Sequence, residues 1–315
     1  MEEKYVLTPS DIEGGKNAFI MKAFQSAKPS AKPSLALIVA GPGAGKTGIE
    51  WYVKRKFAEK GKSAISFGSD ILATFHPNYE EMKDTETSED VYKYTRQFTR
   101  PATLPVLQAL AQRHFNVFYE NTLDKGDVDI EQAQIFRDAG YRIRCNIMAT
   151  DEFEARMSVY ERDARSLEMG ETPRGCSINT QKRMYNGFIP GVYSLLEHGL
   201  LDDIMVFTRG ERIDSPNVVY QMSSEMKQPY TNFEEALHKE REKQRIALLE
   251  NPIPFYERIE RARATITKRG INPVLTQDEL DGLQLLQDDF DRERAQYAEK
   301  KRGQRKPGGF SFGDL

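Results

Sequence analysis

The chain is predicted to be an α/β protein: a parallel sheet flanked by helices, followed by a C-terminal helical extension. Three observations predict this. An apolar run, Leu35 to Ala40, passes directly into Gly41, Pro42, Gly43, Ala44, Gly45, Lys46 and Thr47. From Leu35 onward, strand-like and helix-like segments alternate, the pattern that calls for parallel strands joined by crossover helices. Past Met222 the strand signals stop, and segments rich in Glu, Lys, Arg and Ala follow.

In chain order, residues 1–33 read as an N-terminal arm and linker. Asn17 to Ala27 suits a short helix, and AKPSAKPS (residues 27–34), with two Lys-Pro pairs, suits an extended connection. Residues 34–222 form the main domain. Strands are predicted near 35–40, 63–67, 115–119, 142–148 and 204–208, with an edge strand near 217–222. Helices are predicted near 46–60, 88–113, 129–139, 152–168 and 178–198. Gly61, Gly140 and Gly199 stand where helices would end. Residues 223–315 form the helical extension, with helices near 233–249, 255–268 and 277–301. Leu283, Leu286 and Phe290 make one apolar stripe there, and the charges suit a solvated face. The last stretch, KKRGQRKPGGFSFGDL, is a basic, Gly-rich tail of the kind that binds a partner or serves as a secretion-type peptide.

Residues 41–47 carry the chemistry. Glycines permit a tight loop whose backbone N–H groups face a phosphate at close range. Lys46 would reach the β/γ-phosphates of a nucleoside triphosphate, and the Thr47 hydroxyl would ligate Mg²⁺. A helix beginning at Lys46 would aim its positive end at the same anion. A nucleoside triphosphate with Mg²⁺ is therefore the expected ligand.

Composition narrows the classes. A formal net charge of −3 over 315 residues provides no global basic field for nucleic acid. The longest apolar run is far too short for a bilayer, and the acidic, polar N-terminus has no signal-peptide core. Two cysteines, Cys145 and Cys176, fit a reducing compartment. Four histidines do not suggest a His-rich metal centre.

Further candidates sit at strand ends, where open parallel sheets bind ligands. The second strand ends in Gly68-Ser69-Asp70, which puts Asp70 on the edge of the phosphate loop, on a strand expected beside it. A carboxylate there can take the proton of an acceptor hydroxyl; the same residue also suits a cap for a helix beginning at Ile71. His76 follows in His76-Pro77-Asn78-Tyr79, a histidine that suits a structural role as well as a substrate-side one. The third strand ends in Glu120-Asn121-Thr122. Downstream come Arg156, Arg162 and Arg165 on one helix, then Arg174 in a Pro-Arg-Gly turn. A fixed guanidinium near a γ-phosphate stabilises the charge that spreads over its oxygens. Arg162 and Arg174 form the pair that a closing helix-plus-loop lid would use.

Taken in order, these stretches resemble the zeta toxin family of P-loop kinases, the toxins of bacterial toxin–antitoxin systems. The matching segments are AGPGAGKT (40–47), SDILATFHPNYEE (69–81), YENTL (119–123), GYRIRCNIMA (140–149) and the run from Tyr160 to Gly199. The resemblance implies a P-loop kinase-type sheet and phosphorylation of a sugar hydroxyl of UDP-N-acetylglucosamine. It implies that Lys46 and Thr47 hold ATP and Mg²⁺, and that Asp70 activates the acceptor. Glu120 and Thr122, with His76, fall on the substrate side, and Arg162 and Arg174 clamp the triphosphate. It also implies a small antitoxin partner that covers the ATP site.

Three positions depart from the pattern. Ala40 stands at the motif's first glycine. Leu104, in Arg100-Pro101-Ala102-Thr103-Leu104-Pro105, falls where the family carries a substrate-contacting glutamate. Asp124 stands where a basic residue is frequent. The last two bear on the acceptor, and leave open another nucleotide or a dinucleotide such as NAD. An NTPase that drives a conformational change, or a binding module with a relic loop, are the remaining alternatives; the intact Lys46, Thr47 and Asp70 speak against the relic.

Overall fold

The computed structural model describes residues 4–173, 175–212, 214–222, 231–270 and 273–304. Among them six strands form one sheet. They are β1 (Ser34–Val39), β2 (Ala64–Gly68), β3 (Asn116–Asn121), β4 (Arg142–Met148), β5 (Asp203–Thr208) and β6 (Asn217–Gln221), in spatial order β2-β3-β1-β4-β5-β6. The first five are parallel, and β6 runs antiparallel along the edge of β5. The fold is thus a mixed, mostly parallel sheet with helices on both faces. β3 lies between β1 and β2, so the strand leading to Asp70 is one place further from the phosphate loop than expected, and the strand ending in Glu120 is its direct neighbour.

The period of two in β1 shows why the strand is buried on both sides. Leu35, Leu37 and Val39 join one apolar cluster, and Ala36 and Ile38 join the other. The first cluster packs under α1 (Pro9–Ser26), α5 (Ser88–Gln112), α6 (Asp127–Asp138) and α9 (Ile189–Glu197). The second packs under α2 (Lys46–Ala58) through Ile49 and Val53.

α1 is longer than the predicted Asn17–Ala27 helix. Thr8 and Asp11 close a reciprocal capping box in front of Pro9, which satisfies the first free N–H groups. The Phe19 ring meets Phe67 and Phe75 edge-on, at 5.6 and 5.4 Å. The linker is also tied down: Ser30 N donates to His114 O at 2.8 Å. After β2 come α3 (Ser69–Ala73) and α4 (Tyr79–Thr85). The helix predicted over 178–198 is two helices, α8 (Ile178–Asn186) and α9, because Pro190 lacks the N–H that continuity needs.

α7 (Glu152–Glu168) links the sheet to the C-terminal helices α10 (Phe233–Glu250), α11 (Ile253–Arg269) and α12 (Pro273–Gln304). One side of α7 contributes Phe153, Met157, Tyr160, Ala164 and Leu167 to a third apolar cluster. The rest of that cluster is Leu249 of α10, Phe255, Ile259, Ala262 and Ile266 of α11, and Leu283, Leu286 and Phe290 of α12. The Leu283–Phe290 stripe is buried against α7 rather than left for a partner. The tail beyond Gln304 lies outside the described residues.

Candidate active site

The phosphate loop leaves β1 at Ala40 and enters α2 at Lys46. Gly43 and Gly45 have φ of 70° and 104°, the left-handed region that L side chains rarely adopt. Gly43 also has no room for a side chain, since a Cβ there would lie 1.9 Å from the Ala155 carbonyl oxygen. No side chain caps the N-terminus of α2, so its first N–H groups stay available to an anion. Lys46 Nζ folds back to donate to the carbonyls of Ala40 at 3.2 Å and Gly41 at 3.3 Å. Its ammonium therefore already lies over the loop. These features fit a nucleoside triphosphate.

Other elements brace the loop. Thr150, just past β4, donates from Oγ1 to Ala44 O at 2.7 Å, and Tyr185 Oη donates to Thr150 O at 3.1 Å. Arg209, just past β5, donates to Gly43 O at 2.7 Å and to Ser158 Oγ at 2.9 Å, and pairs with Glu154 at 3.4 Å. Glu154 also accepts from Arg258 of α11 at 2.8 Å. A chain of charge-assisted bonds thus runs from the loop to the C-terminal helices. Sequence reasoning missed Arg209. Its one local signal was a cation directly after an apolar strand on the ligand edge of the sheet.

Asp70 lies exposed in the first turn of α3. The β2–β3 register pairs Gly68 with Glu120, and a Cβ on Gly68 would stand 3.3 Å from the Glu120 Cβ. Gly68 thereby leaves space for Glu120 at the strand end. The Thr122 hydroxyl is held by Asp124, the residue that departs from the family pattern. Arg162 is exposed on α7 and donates from Nε to Asp163 at 3.0 Å. Arg174 lies outside the described residues.

His76 is 3 % exposed, so its ring has no open face for a ligand. Its Nδ1 accepts from Asn78 N at 3.1 Å, and its ring meets Phe98 edge-on. Burial lowers its pKa and keeps it neutral; the more distant Asp11 carboxylate opposes this. Arg156 is also buried, paired to Asp289 of α12 at 2.9 Å, and so ties α7 to the extension.

Cys176 shows which groups the structure brings together. Burial pushes its thiol up to about 11, and the charges that act on it are Arg162, Asp163, Lys46 and Asp70. The loop lysine, the candidate base and the α7 arginine thus each lie within electrostatic reach of that one thiol. Among the described residues no group of three or more His, Cys, Asp or Glu is placed to hold a metal. No described helix is long and apolar enough to cross a membrane.

A glycine loop between β1 and an uncapped helix, on a sheet of this order, defines a P-loop nucleotide-binding protein of the kinase-like kind. The chain belongs to the zeta toxin family, whose model matches residues 19–225. It is 23 % identical to toxin zeta of Streptococcus pyogenes over 203 residues, covering 64 % of this chain and 69 % of that protein. It is 29 % identical to toxin PezT of Streptococcus pneumoniae over 131 residues, 41 % of this chain and 50 % of that one. Among solved structures, a chain from the PezAT toxin–antitoxin system of S. pneumoniae superimposes with a TM-score of 0.57. Its identity is 20 %, and the match spans 78 % of this chain and all of that one. The AvrRxo1-ORF1:ORF2 complex with ATP matches in fold at a TM-score of 0.53 and 13 % identity, over 87 % of this chain and 86 % of that one.

Proposed function

We propose that the chain transfers the γ-phosphoryl group of ATP to a sugar hydroxyl of UDP-N-acetylglucosamine. The observation that supports this reading is the phosphate loop itself: an uncapped α2, Gly43 and Gly45 at positive φ, and Lys46 Nζ folded over the Ala40 and Gly41 carbonyls, in a chain of the zeta toxin family. Lys46 and the backbone N–H groups of residues 43–47 would hold the triphosphate. Thr47 Oγ1 would hold Mg²⁺, which supplies charge neutralisation to the phosphate oxygens. Asp70 would orient the acceptor hydroxyl and take its proton as the oxygen forms its bond to the γ-phosphorus. The bond from that phosphorus to the bridging oxygen breaks, and ADP leaves. Arg162, together with Arg174, would stabilise the charge on the transferring group. Glu120 would serve the substrate side. Thr122, tied to Asp124, would act there through its strand end, and His76 would fix the Asp70 segment rather than touch substrate.

The reading further includes a cytoplasmic location and an antitoxin that covers the ATP site. It rests on family membership and on the toxin–antitoxin system to which the PezAT neighbour belongs. Within it, residues 34–222 act as the kinase domain and residues 223–315 as its support.

The test is a transfer assay on the full chain with Mg²⁺-ATP and a panel of UDP-N-acetylglucosamine, other UDP-sugars, NAD and nucleosides. A phosphorylated UDP-N-acetylglucosamine, absent with Asp70→Asn, supports the reading. A product from NAD alone moves the acceptor and keeps the chemistry. ADP with no phosphorylated acceptor overturns it.

A further inference from the structure

α7, residues 175–180, α12 and Glu89 of α5 line a half-open cavity of about 520 Å³, the size of many small-molecule sites. Cys176, on which the charges of Arg162, Lys46 and Asp70 act, lines it. Its opposite wall is α12, which lies beyond the part of the chain that the family model matches. α12 approaches α7 closely at Gly282, where a Cβ would stand 2.3 Å from the Tyr160 hydroxyl. The Tyr160 ring and Leu285 supply apolar surface, and Asp163, Asp278 and Glu279 supply carboxyls.

Glu279 distinguishes this cavity from an ordinary acidic surface. It is 5 % exposed, and its Oε1 has no hydrogen-bond partner among the described residues. Leaving a buried carboxyl oxygen unpaired is unfavourable, so a partner that enters the cavity would be bound with gain. We propose that the cavity seats the uncharged, hydroxyl- or amide-bearing end of the phosphate acceptor, with Glu279 hydrogen-bonded to it. This assignment rests on the phosphotransferase reading above.

The described lining favours an uncharged group over an anion: even with Asp163 paired to Arg162, carboxyls outnumber Arg183, the one cation on the wall among the described residues. The charged part of a nucleotide acceptor would stay outside the cavity, and the neutral end would extend toward α12. The state of Glu279 agrees with a neutral partner. Burial, with Asp163 and Asp278 adding to it and Arg162 opposing, pushes its carboxyl up to about 8. At neutral pH the group is mostly protonated and can both donate and accept, which suits a hydroxyl or an amide.

The experiment is saturation-transfer NMR on the full chain with N-acetylglucosamine and uridine as separate probes. The comparison is among wild type, Glu279→Leu and Leu285→Trp. Leu285 is 41 % exposed, so a larger side chain there narrows the mouth without entering the core. At least one probe is expected to bind wild type and to bind each variant at least fivefold more weakly. Binding of neither probe to wild type overturns the assignment. So does undiminished binding to either variant that melts as wild type does. Probe binding without any phosphoryl transfer would instead retain the cavity as a site and remove the kinase reading.

Discussion

Arg209 donates a 2.7 Å hydrogen bond to the carbonyl of Gly43, 166 positions earlier in the chain. The bond pulls the apex of the phosphate loop toward Ser158 and Glu154 of α7. A charge-assisted bond of this kind contributes on the order of 1–3 kcal/mol when partly buried. Arg209→Ala is expected to raise the KM for ATP roughly tenfold, the fold-change of about 1.4 kcal/mol, and to change kcat less. An ATP KM within twofold of wild type would show that the loop holds its shape without the arginine.

Gly43→Ala probes the loop from inside. The added Cβ needs a position 1.9 Å from the Ala155 carbonyl, at a backbone conformation that alanine adopts at a cost of about 1–2 kcal/mol. The loop or α7 must shift. ATP binding should fall below detection in a calorimeter while the melting temperature drops only a few degrees. Normal ATP affinity would mean that the loop rearranges at little cost.

Asp70 and Lys46 should separate chemistry from binding. Asp70→Asn is expected to lower transfer by a factor on the order of 10² or more and to leave ATP affinity within a few-fold. Lys46→Ala should damage both. Full transfer by Asp70→Asn would move the proton acceptor elsewhere, with Glu120 the first alternative at the neighbouring strand end.

Glu279 predicts a pH dependence with a definite sign. Its ordinary value is 4.5, and the folded protein raises it to about 8. The folded state thus binds the proton more tightly. The resulting stabilisation is complete below about pH 4.5 and is lost as pH rises through about 8. Its span is on the order of a few kcal/mol. Glu279→Gln, which cannot ionise, should melt close to wild type at pH 5 and above it at pH 9. Parallel melting curves across that range would place the titration of Glu279 in the ordinary carboxylate range.

Phe290→Ala tests the attachment of α10–α12 to α7. The ring is fully buried, 4.4 Å from Phe255 and 5.2 Å from Phe153 between centroids. Truncations of this kind cost about 3–5 kcal/mol. Unfolding should remain a single transition, shifted down by several degrees, because Phe153 belongs to α7. A separate low-temperature transition would instead show α10–α12 melting alone.

The phosphate loop and the five parallel strands were legible because their signals are local: an apolar run, glycines, a lysine and a hydroxyl in fixed order. The capping box before α1 was equally local, in Thr8, Pro9 and Asp11, yet a helix was expected only over Asn17–Ala27. What decided its packing was the fit of Phe19 against Phe67 and Phe75, rings 48 and more positions away. Strand order was not legible. Parallel strands joined by long crossovers carry no sequence mark of their neighbour, so Asp70 was placed beside the loop where Glu120 stands. Arg209 and Arg258 were invisible for a related reason. One arginine after a strand, or on a charged helix, looks like any surface arginine until Glu154 appears between them. The same holds for Glu279, one acid among many on α12, which only the arrival of α7 buries.

The sharing of α7 has a practical consequence. Phe233, Ala236 and Leu237 lie in the sheet's own core, while Leu249, Ile259 and Phe290 close over α7. Arg241 of α10 donates to Asn186 at 2.8 Å, and Gln244 donates to the Ala149 carbonyl at 2.7 Å. Deleting residues 223–315 would strip one side of α7 and expose Phe153, Met157 and Leu167 to water. Cutting the backbone between Met222 and Thr231 would remove none of these contacts. The protein can therefore be treated as two interlocking pieces. Residues 1–222 and 231–315, expressed together, should find one another and purify as a single particle, whereas the first piece alone should aggregate.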